Sequence, residues 1–306
     1  MRRLLLVYNP RSSRFVDVEK EVIARIRTLK GYTIGKYEVK PTNLDDNIAT
    51  FSKLLKDGDL VLSAGGDATG IIASNGIIKS GKDARLAVLP YGNFNDLART
   101  LGTMGFDDVF REDSTIHSRT RKLYPLEVYV DGKFYRYATC YVTIGMTAEA
   151  CELFDEPKFR KEMQKGHKSS WRSYLALMKW YFKNRHEKQF IPDFKLNGKP
   201  QHKKTTDYAA VSGRSMCRVM KGGDDYLDSH KFRSMTDRLA NFWRLTKLMI
   251  AAILVRTPGT ETTGDTLEFI QPSTVELQAE GEYQVFKDIK TIEIKKGPKC
   301  LKVVHR

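Results

Sequence analysis

Three short loops rich in glycine, asparagine and serine carry the residue types that phosphate chemistry uses. They read NPRSSR (9–14), GGDATG (65–70) and PYGNFND (90–96). Glycines let a backbone approach phosphate oxygens closely and adopt positive φ, and the hydroxyl of Thr69 can donate a hydrogen bond to the same oxygens. The carboxylate of Asp67 can supply an oxygen ligand to a metal ion that accompanies a phosphate. The three loops therefore predict a site for a phosphate-bearing ligand.

The simpler interpretation of GGDATG is an ordinary turn between a strand and a helix. Asp67 or Thr69 would then be the N-cap of the following helix, because either side chain accepts a hydrogen bond from the first backbone N–H groups. The two interpretations are compatible, since a capped helix start is also an anion site. Three such loops on one edge of a sheet make three unrelated turns the weaker explanation.

The elements that must position these loops alternate along the first hundred residues. The predicted order is strand 3–9, helix 17–30, strand 33–40, helix 44–58, strand 59–65, helix 69–80, strand 85–90 and helix 95–102. Continuous apolar strands between amphipathic helices indicate a parallel sheet covered on both faces. In such sheets ligands bind outside the C-terminal ends of the strands, and each of the three loops follows a strand. We expect a doubly wound α/β domain over residues 1–122.

After about residue 122 the pattern changes to alternation of apolar and polar residues, which is typical of antiparallel β-structure. Asp131-Gly132, inside the alternating run 126–145, indicates a hairpin turn. Further alternating runs occupy 203–213, 265–280 and 283–296, and helical insertions are predicted near 169–185 and 237–255. We therefore expect a mainly antiparallel β-rich domain with helical insertions over residues 123–290. A terminal segment, 291–306, is expected to pack back on the first domain.

The formal net charge of +15 predicts attraction to polyanions, that is, to nucleic acid, an anionic membrane or phosphate-bearing ligands. The segment 158–188 concentrates this charge, with ten basic residues against the two acids Glu162 and Glu187. Within it, 169–185 places aromatic residues and cations at helical spacing, which fits a helix on an anionic membrane. A helix that covers the β domain with snorkelling lysines is the more common explanation. We assign 158–188 to peripheral membrane contact and expect no nucleic-acid partner.

Cysteine usage and the apolar runs bear on the compartment. The cysteines at 140, 151, 217 and 300 form no CxxC pair, which favours reduced thiols over a disulfide scaffold or a metal cluster. The opening MRRLLLVYNP is interpreted as a first strand, because a signal peptide needs a longer apolar core. The longest apolar run, Leu248–Val255, is too short to cross a bilayer. A cytoplasmic protein, peripheral on the inner membrane face, is the expectation; a homodimer is left open.

The order of the motifs resembles one protein family. NPRSS, GGDAT and LPYGNFNDLAR are similar to the NPxSG, GGDGT and PxGTxNDxAR motifs of the diacylglycerol kinase catalytic domain family, which includes sphingosine and other lipid kinases. IGMTAEA (144–150) resembles that family's glycine-alanine segment, and LQAEGEYQVF (277–286) resembles its late Asp-Gly-Glu turn. The resemblance implies ATP as phosphate donor, Mg²⁺ as the metal and a lipid as substrate.

Site residues follow from this resemblance by position. It implies that ATP contacts Asn9, Ser12, Gly65, Gly66, Asp67 and Thr69, that Gly92 and Asn95 shape the second nucleotide loop, and that Asp67 and Asp96 lie at the metal. It also implies catalytic roles for Asp67 and for Glu282, the latter as general base on the lipid hydroxyl. Without the family, Glu282 would be interpreted as an exposed acid of a hairpin turn.

Several positions depart from the family pattern. They are Ala68 for a glycine, Ile72 for a glutamate, Asn93 for a threonine, Glu280 for an aspartate, Pro125-Leu126 where an acid is expected, and the Gly222-Gly223 segment without its proline-alanine continuation. Two further hypotheses therefore stand beside an ATP-dependent lipid kinase. One is a relative that binds nucleotide or lipid without catalysis. The other is an NAD kinase, which shares the GGDGT loop and does not explain GNFNDLAR.

Overall fold

The computed structural model describes residues 2–12, 14–110, 119–155, 179, 190–216, 220–221, 226–238, 250 and 259–306. The chain divides into two compact units. Unit 1 comprises Met1–Pro125, Leu227–Ser229 and Gly297–Arg306, and unit 2 comprises Leu126–Tyr226 and His230–Lys296. The predicted helix at 169–185 lies outside the described residues except for Lys179. Of the helix predicted at 237–255, only Asp237, Arg238 and Ile250 are described.

The strands and helices are numbered along the chain. The strands are β1 (Arg2–Tyr8), β2 (Tyr32–Glu38), β3 (Leu60–Gly65), β4 (Arg85–Pro90), β5 (Thr120–Leu123), β6 (Leu126–Val130), β7 (Lys133–Ala138), β8 (Tyr141–Gly145), β9 (Phe194–Leu196), β10 (Lys199–Pro200), β11 (Asp207–Val211), β12 (Ser215–Met216), β13 (Met220–Lys221), β14 (Phe232–Asp237), β15 (Thr260–Thr262), β16 (Gly264–Ala279), β17 (Glu282–Lys296) and β18 (Leu301–Val304). The helices are α1 (Phe15–Val18), α2 (Ala24–Ile26), α3 (Leu44–Ser52), α4 (Asp67–Ser80), α5 (Asp96–Thr100), α6 (Phe106–Phe110) and α7 (Met146–Asp155), with a π-helical turn, Glu19–Ile23, between α1 and α2.

Unit 1 contains a six-stranded sheet in the order β2-β1-β3-β4-β18-β5. The pairs among β2, β1, β3, β4 and β18 are parallel, and β5 runs antiparallel beside β18 at the edge. Residues of the first helical region pack with alternate β1 residues, as Val18 and Val22 do with Leu4 in one buried cluster. Helix α4 contacts β1, β3, β4 and β18. The predicted doubly wound α/β fold is confirmed, and the antiparallel edge strand is an addition to it.

Local sequence explains where the helices of unit 1 begin and end. The Asn43 side chain accepts a hydrogen bond from the Asp46 amide at 2.7 Å and caps α3, which ends at Ser52, earlier than the predicted residue 58. Helix α4 starts at Asp67, directly after Gly66, and ends before Gly81, which has the left-handed conformation that glycine adopts without strain. The first helical region covers 15–26 where a helix over 17–30 was predicted.

Unit 2 contains an antiparallel sheet in the order β15-β14-β11-β8-β16-β17-β6-β7, with β9 paired to β16 and β10 to β9. Asp131 and Gly132, both at positive φ, join β6 to β7 as predicted. Glu280 and Gly281 form a second two-residue turn with positive φ between β16 and β17. The antiparallel C-terminal fold is therefore confirmed.

The core of unit 2 collects one face of these strands, with Val128, Ile144, Tyr208, Leu277 and Ile292 among its fully buried members. Two elements of this unit differ from the sequence prediction. Helix α7 follows β8 directly, and strand β14 occupies 232–237, so the residue predicted to begin the second helical insertion, Asp237, ends a strand. No helix among the described residues has the length and hydropathy that a membrane span requires.

Candidate functional site

The three predicted loops all follow parallel strands of unit 1, namely β1, β3 and β4. The chain passes from β1 to β2 on one side and then to β3 on the other side of β1. Such a reversal of strand order opens a crevice at the C-terminal edge of the sheet, and ligands of doubly wound proteins bind there. The loops 9–14 and 65–70 flank this switch point, and the loop 90–96 lies beside the second of them.

The first loop folds on its own backbone. The side-chain Oδ1 of Asn9 accepts the Arg11 amide at 2.9 Å, and the Asn9 carbonyl accepts the Ser12 amide at 3.0 Å. The hydroxyl of Ser12 is buried and has no hydrogen-bond partner among the described residues. A buried hydroxyl without a partner is costly, and a polar atom of a ligand would satisfy Ser12 Oγ.

The second and third loops touch through their glycines. A Cβ on Gly92 would lie 2.2 Å from the Gly66 Cα, which no real side chain tolerates, and the Tyr91 amide donates to the Gly65 carbonyl at 3.1 Å. Asn95 closes the third loop, since its Oδ1 accepts the Gly92 amide at 2.8 Å and its Nδ2 donates to the Gly92 carbonyl at 2.7 Å. Asn95 itself has φ +58°, a left-handed value that asparagine tolerates well.

Asp67 fastens the third loop to the start of helix α4. Its Oδ2 accepts the Asn95 amide at 2.9 Å and its Oδ1 accepts the Asp96 amide at 2.8 Å. Both bonds are made to a charged acceptor, which makes them stronger than bonds between neutral groups. The structure therefore gives Asp67 a positioning role that the sequence did not predict.

The remaining predicted residues of unit 1 are more enclosed. Thr69 is 2% exposed and packs against Gly65, where an added Cβ would meet its Oγ1 at 2.3 Å. Asp96 is 2% exposed, at the first position of α5. Ala68 is half-buried in the first turn of α4. The structure thus brings the predicted residues of the three loops together on one edge; their contacts with ATP and metal stay a prediction.

The sequence analysis did not predict the contacts that join the first loop to the third loop. Arg14 donates from Nη1 to the Pro90 carbonyl at 3.2 Å, and its guanidinium lies 5.3 Å from the centre of the Tyr91 ring. The Tyr91 hydroxyl donates to Glu21 at 2.7 Å. Burial first, and this bond second, raise the pKa of Tyr91 far above its usual value. Arg14 is the second arginine of NPRSSR, and the sequence did not show that its side chain contacts residues at the end of β4.

The predicted general base, Glu282, belongs to unit 2. It is the first residue of β17, pairs with Ala279 of β16 and is half-buried. Two residues earlier, Glu280 is 6% exposed at the tip of the same turn. One of its carboxylate oxygens accepts hydrogen bonds from the Thr139 hydroxyl and the Cys140 amide, in the turn between β7 and β8. Glu280 therefore fixes the position of the turn that carries Glu282.

A second buried acid of unit 2 was not predicted. Asp207, 1% exposed at the start of β11, accepts the Thr147 amide at 2.7 Å and the Thr147 hydroxyl at 2.6 Å through Oδ1, while its Oδ2 has no partner among the described residues. Burial, with a smaller contribution from Asp237, raises the pKa of Asp207 to about 6. Thr147 lies in the first turn of α7, so Asp207 holds the segment IGMTAEA in place.

A layer of buried polar side chains lies between these two acids in the sheet of unit 2. Thr143 of β8 donates to Gln278 of β16 at 2.6 Å, and both residues are fully buried.

A further buried acid, Glu127 of β6, accepts a hydrogen bond from the Tyr129 hydroxyl at 2.8 Å. Burial and this carboxylate raise the pKa of Tyr129 to about 12. The Glu127 that stands one residue beyond the family's acid position is thus 5% exposed and bonded within its own strand.

The chemistry of the loops is compatible with a phosphate-bearing ligand. A buried hydroxyl without a partner, two glycines in direct contact and a helix N-terminus at Gly66 all favour phosphate oxygens. The two carboxylates that the resemblance assigns to a divalent cation, Asp67 and Asp96, lie at the first positions of α4 and α5. No group of three or more histidine, cysteine or acidic residues among the described residues could hold a metal. Mg²⁺ sites in proteins commonly use only one or two carboxylates beside waters and phosphate.

The strand order and the glycine-rich loops at the switch point define unit 1 as a doubly wound α/β domain. Residues 3–126 match the family model of the diacylglycerol kinase catalytic domain. A diacylglycerol kinase of Bacillus subtilis (strain 168) is 29% identical over 140 residues, which are 44% of this chain and 44% of the relative. One of Staphylococcus haemolyticus (strain JCSC1435) is 29% identical over 116 residues, 36% of this chain and 34% of the relative. The matched segments thus span less than half of these relatives.

Solved structures extend the likeness to the whole chain at the level of fold. A putative diacylglycerol kinase from Bacillus anthracis str. Sterne superposes with a TM-score of 0.65 at 15% identity, covering 100% of this chain and 97% of that chain. A second structure from the same organism gives a TM-score of 0.64 with the same coverage. The resemblance drawn from the motifs is confirmed at this level: residues 3–126 match the family model, and the fold of the chain is similar to that of the solved structures described as diacylglycerol kinases.

Proposed function

We propose that the protein is an ATP-dependent kinase that transfers the γ-phosphate to a hydroxyl group of a diacylglycerol-like or sphingoid lipid. The observation that carries the proposal is the contact between Gly66 and Gly92 beside the switch point of the sheet. Asp67 stabilises this contact, because its carboxylate accepts hydrogen bonds from two backbone amides of the third loop. The family match over residues 3–126 supports the kinase class and ATP as donor.

Phosphoryl transfer depends mostly on positioning and on neutralising charge, so the residues of this chain have few covalent tasks. Amides at the start of α4 and the Ser12 hydroxyl bind phosphate oxygens, and Asn9 orients that loop. Asp67 and Asp96 would hold Mg²⁺, which when bound neutralises phosphate charge. Glu282 accepts the proton of the attacking lipid hydroxyl, and Glu280 holds its turn in place.

The test is a radiolabelled-ATP assay of the full chain on total lipid extract, with purified diacylglycerol, a sphingoid base and NAD⁺ as separate acceptors. The proposal expects a labelled lipid, lost in Asp67→Ala and in Glu282→Ala. Labelled NADP⁺ would support the NAD kinase hypothesis instead. ATP binding by the wild type without any labelled lipid would favour the non-catalytic relative.

Ala68 motivates that second candidate, because it adds a methyl group at the start of α4 where the family has glycine. The variant Ala68→Gly tests whether this methyl group impairs the kinase site or is tolerated by it. A large gain in turnover identifies an impaired kinase site, whereas unchanged turnover in an active protein shows that the native loop is competent. A peripheral position on an anionic, cytoplasmic membrane face through 158–188, and a homodimer, remain part of the proposal.

A further inference from the structure

A small flap of unit 2 combines exposed apolar side chains with lysines. The basic flap, residues 190–205, runs out along β9 and returns along β10. Its arms pair through the amide of Ile191, which donates to the Thr205 carbonyl at 2.8 Å, and the amide of Gln201, which donates to the Phe194 carbonyl at 2.9 Å. The flap is therefore a defined hairpin with an inner and an outer face.

The inner face of the basic flap anchors it to the sheet. Ile191 and Phe194 are 4% and 2% exposed and belong to the core of unit 2. Phe194 pairs with Phe269 of β16, and the Ile270 amide donates to the Asp193 carbonyl at 3.0 Å. Since side chains alternate between faces along a strand, Lys195, which follows Phe194 in β9, points outward and is exposed.

The outer side presents two large apolar residues. Phe190 is 43% exposed, and Ile270, on the adjoining strand, is 68% exposed, the highest value among the large apolar residues that the structure describes. Isolated exposed apolar residues are normal on protein surfaces. Phe190 in the flap and Ile270 on the strand that pairs with it add exposed apolar side chains to a segment that carries four lysines, which gives this part of unit 2 an amphipathic composition.

The charge of the basic flap is one-sided. It contains Lys195, Lys199, Lys203 and Lys204 against one acid, Asp193, and no arginine. Glu268 of β16 lies opposite Lys195, but no ion pair joins Lys199, Lys203 or Lys204 to another described residue. In the sequence, the basic segment 158–188 immediately precedes the flap, so the flap continues a strongly cationic stretch.

We infer that the outer side of the basic flap, with Phe190 and Ile270, docks on an anionic lipid bilayer. This inference rests on the proposed function, because a kinase with a lipid acceptor has to meet its substrate in a membrane. Apolar side chains beside lysines are what the interface of an anionic bilayer binds, the former in the acyl boundary and the latter at the headgroups. Nucleic acid fits less well, since the flap lacks the guanidinium groups that recognise phosphodiesters in pairs of bonds.

The experiment is sedimentation of the full chain with vesicles of phosphatidylcholine alone or of phosphatidylcholine and phosphatidylglycerol in equal parts. Each lysine near an anionic surface contributes about fivefold to partition, so Lys203→Gln/Lys204→Gln should weaken binding to the anionic vesicles by about twenty-five-fold. The pair Phe190→Ser/Ile270→Ser should weaken binding to them about tenfold or more, because it removes the inserted apolar area.

A matched control exists in unit 1, where Leu54 is 40% exposed between the exposed lysines Lys53 and Lys56. The variant Lys53→Gln/Leu54→Ser/Lys56→Gln should bind both kinds of vesicle as the wild type does. Flap variants that sediment like the wild type, or a control that loses as much as they do, would overturn the inference. So would binding to single-stranded nucleic acid that depends on the flap lysines while the vesicles are ignored.

Failure of docking and failure of the proposed function give different results. Vesicle binding is scored without catalysis, so it stands even if no lipid is phosphorylated. In the kinase assay, flap variants should keep wild-type turnover with a water-soluble short-chain diacylglycerol and lose turnover on vesicles. Equal loss on both acceptors would mean that the flap acts in the site and not in docking.

Discussion

The two units build their polar sites in opposite ways. In unit 1, the loops 9–14, 65–70 and 90–96 are held by short-range motifs whose bonds go mostly to backbone amides, as those of Asn9, Asn95 and Asp67 do. In unit 2, carboxylates are buried by strands far apart in the chain, as Glu280 is against the turn of Thr139 and Cys140. A site made of backbone amides survives many side-chain changes, whereas a buried carboxylate depends on each of its partners.

The largest effect that separates the two units is expected from Glu282→Gln. The proposed general base loses its ability to accept a proton, so kcat should fall by roughly a hundredfold to ten-thousandfold while the dissociation constant of ATP stays unchanged. Steady-state kinetic assays with diacylglycerol measure kcat, and a separate ATP-binding titration measures the dissociation constant. Unchanged kcat would remove Glu282 from the mechanism and return it to the role of a hairpin acid.

The pH dependence of the free energy of unfolding should reveal the raised pKa of Asp207. Its pKa of about 6 lies above the unfolded value of 3.8, so the native state holds a proton that the unfolded state has lost between these values. The free energy of unfolding should therefore fall by about 3 kcal/mol as the pH rises from about 4 to 6, and stay level above that.

The comparison is with Asp207→Asn, which keeps an oxygen for Thr147 and does not titrate. Urea unfolding at several pH values should show this decline in the wild type and not in the variant. Parallel pH profiles for the two proteins would contradict the assigned pKa. ATP affinity, which belongs to unit 1, should be the same in both.

Gly92→Ala attacks the backbone contact of unit 1. The added methyl group would meet the Gly66 Cα at 2.2 Å, so the two loops have to separate. Overpacking of this kind costs about 2 kcal/mol, which corresponds to roughly thirtyfold weaker ATP binding. Isothermal titration with ATP measures it.

Gly70→Ala is the matched control, because the nearest atom to its added Cβ, in Leu97, lies at 4.0 Å. Alanine also favours the helix interior, so ATP affinity should not change and stability should rise slightly. Equal loss in both variants would show that the helix start, and not the contact of the two loops, matters for ATP.

The smallest effect is expected from Glu280→Ala. Its removal leaves the buried Cys140 amide and the Thr139 hydroxyl without this acceptor, which should lower the free energy of unfolding by about 1.5 kcal/mol. We expect kcat to fall about fivefold with ATP affinity unchanged, because the turn of Glu282 loosens. Glu280→Gln, which retains an acceptor oxygen, should restore most of the loss; no rescue would point to a need for the charge itself.

Much of unit 1 could be predicted from the sequence because its signals are local. The strands are continuous apolar runs, and the turn residues Gly66, Gly92 and Asn95 occupy positions that their own side chains or backbone freedom dictate. Helix ends were less predictable, as α3 shows, since tertiary packing decides how far a helix continues past its cap. The contact of Arg14 with Tyr91 could not be predicted, because it depends on where the end of β4 lies relative to the first loop.

Unit 2 was predictable only as a type of structure. Alternation indicated antiparallel strands, and Asp131-Gly132 indicated a turn, but strand order is set by pairing between distant segments. Helix α7 and strand β14 were missed, because the apolar residues that stabilise them contact partners remote in sequence.

What the sequence alone determined is the local conformation of the three loops 9–14, 65–70 and 90–96, since glycine spacing and short polar side chains specify a backbone conformation within a few residues. Only the tertiary structure decided which acids are buried and which are tied to other groups. Asp67 is bonded to the next loop, Glu280 is enclosed by a turn 140 residues away, and Asp207 has a raised pKa. Burial is a property of the surroundings, and the surroundings of a carboxylate are assembled from distant strands.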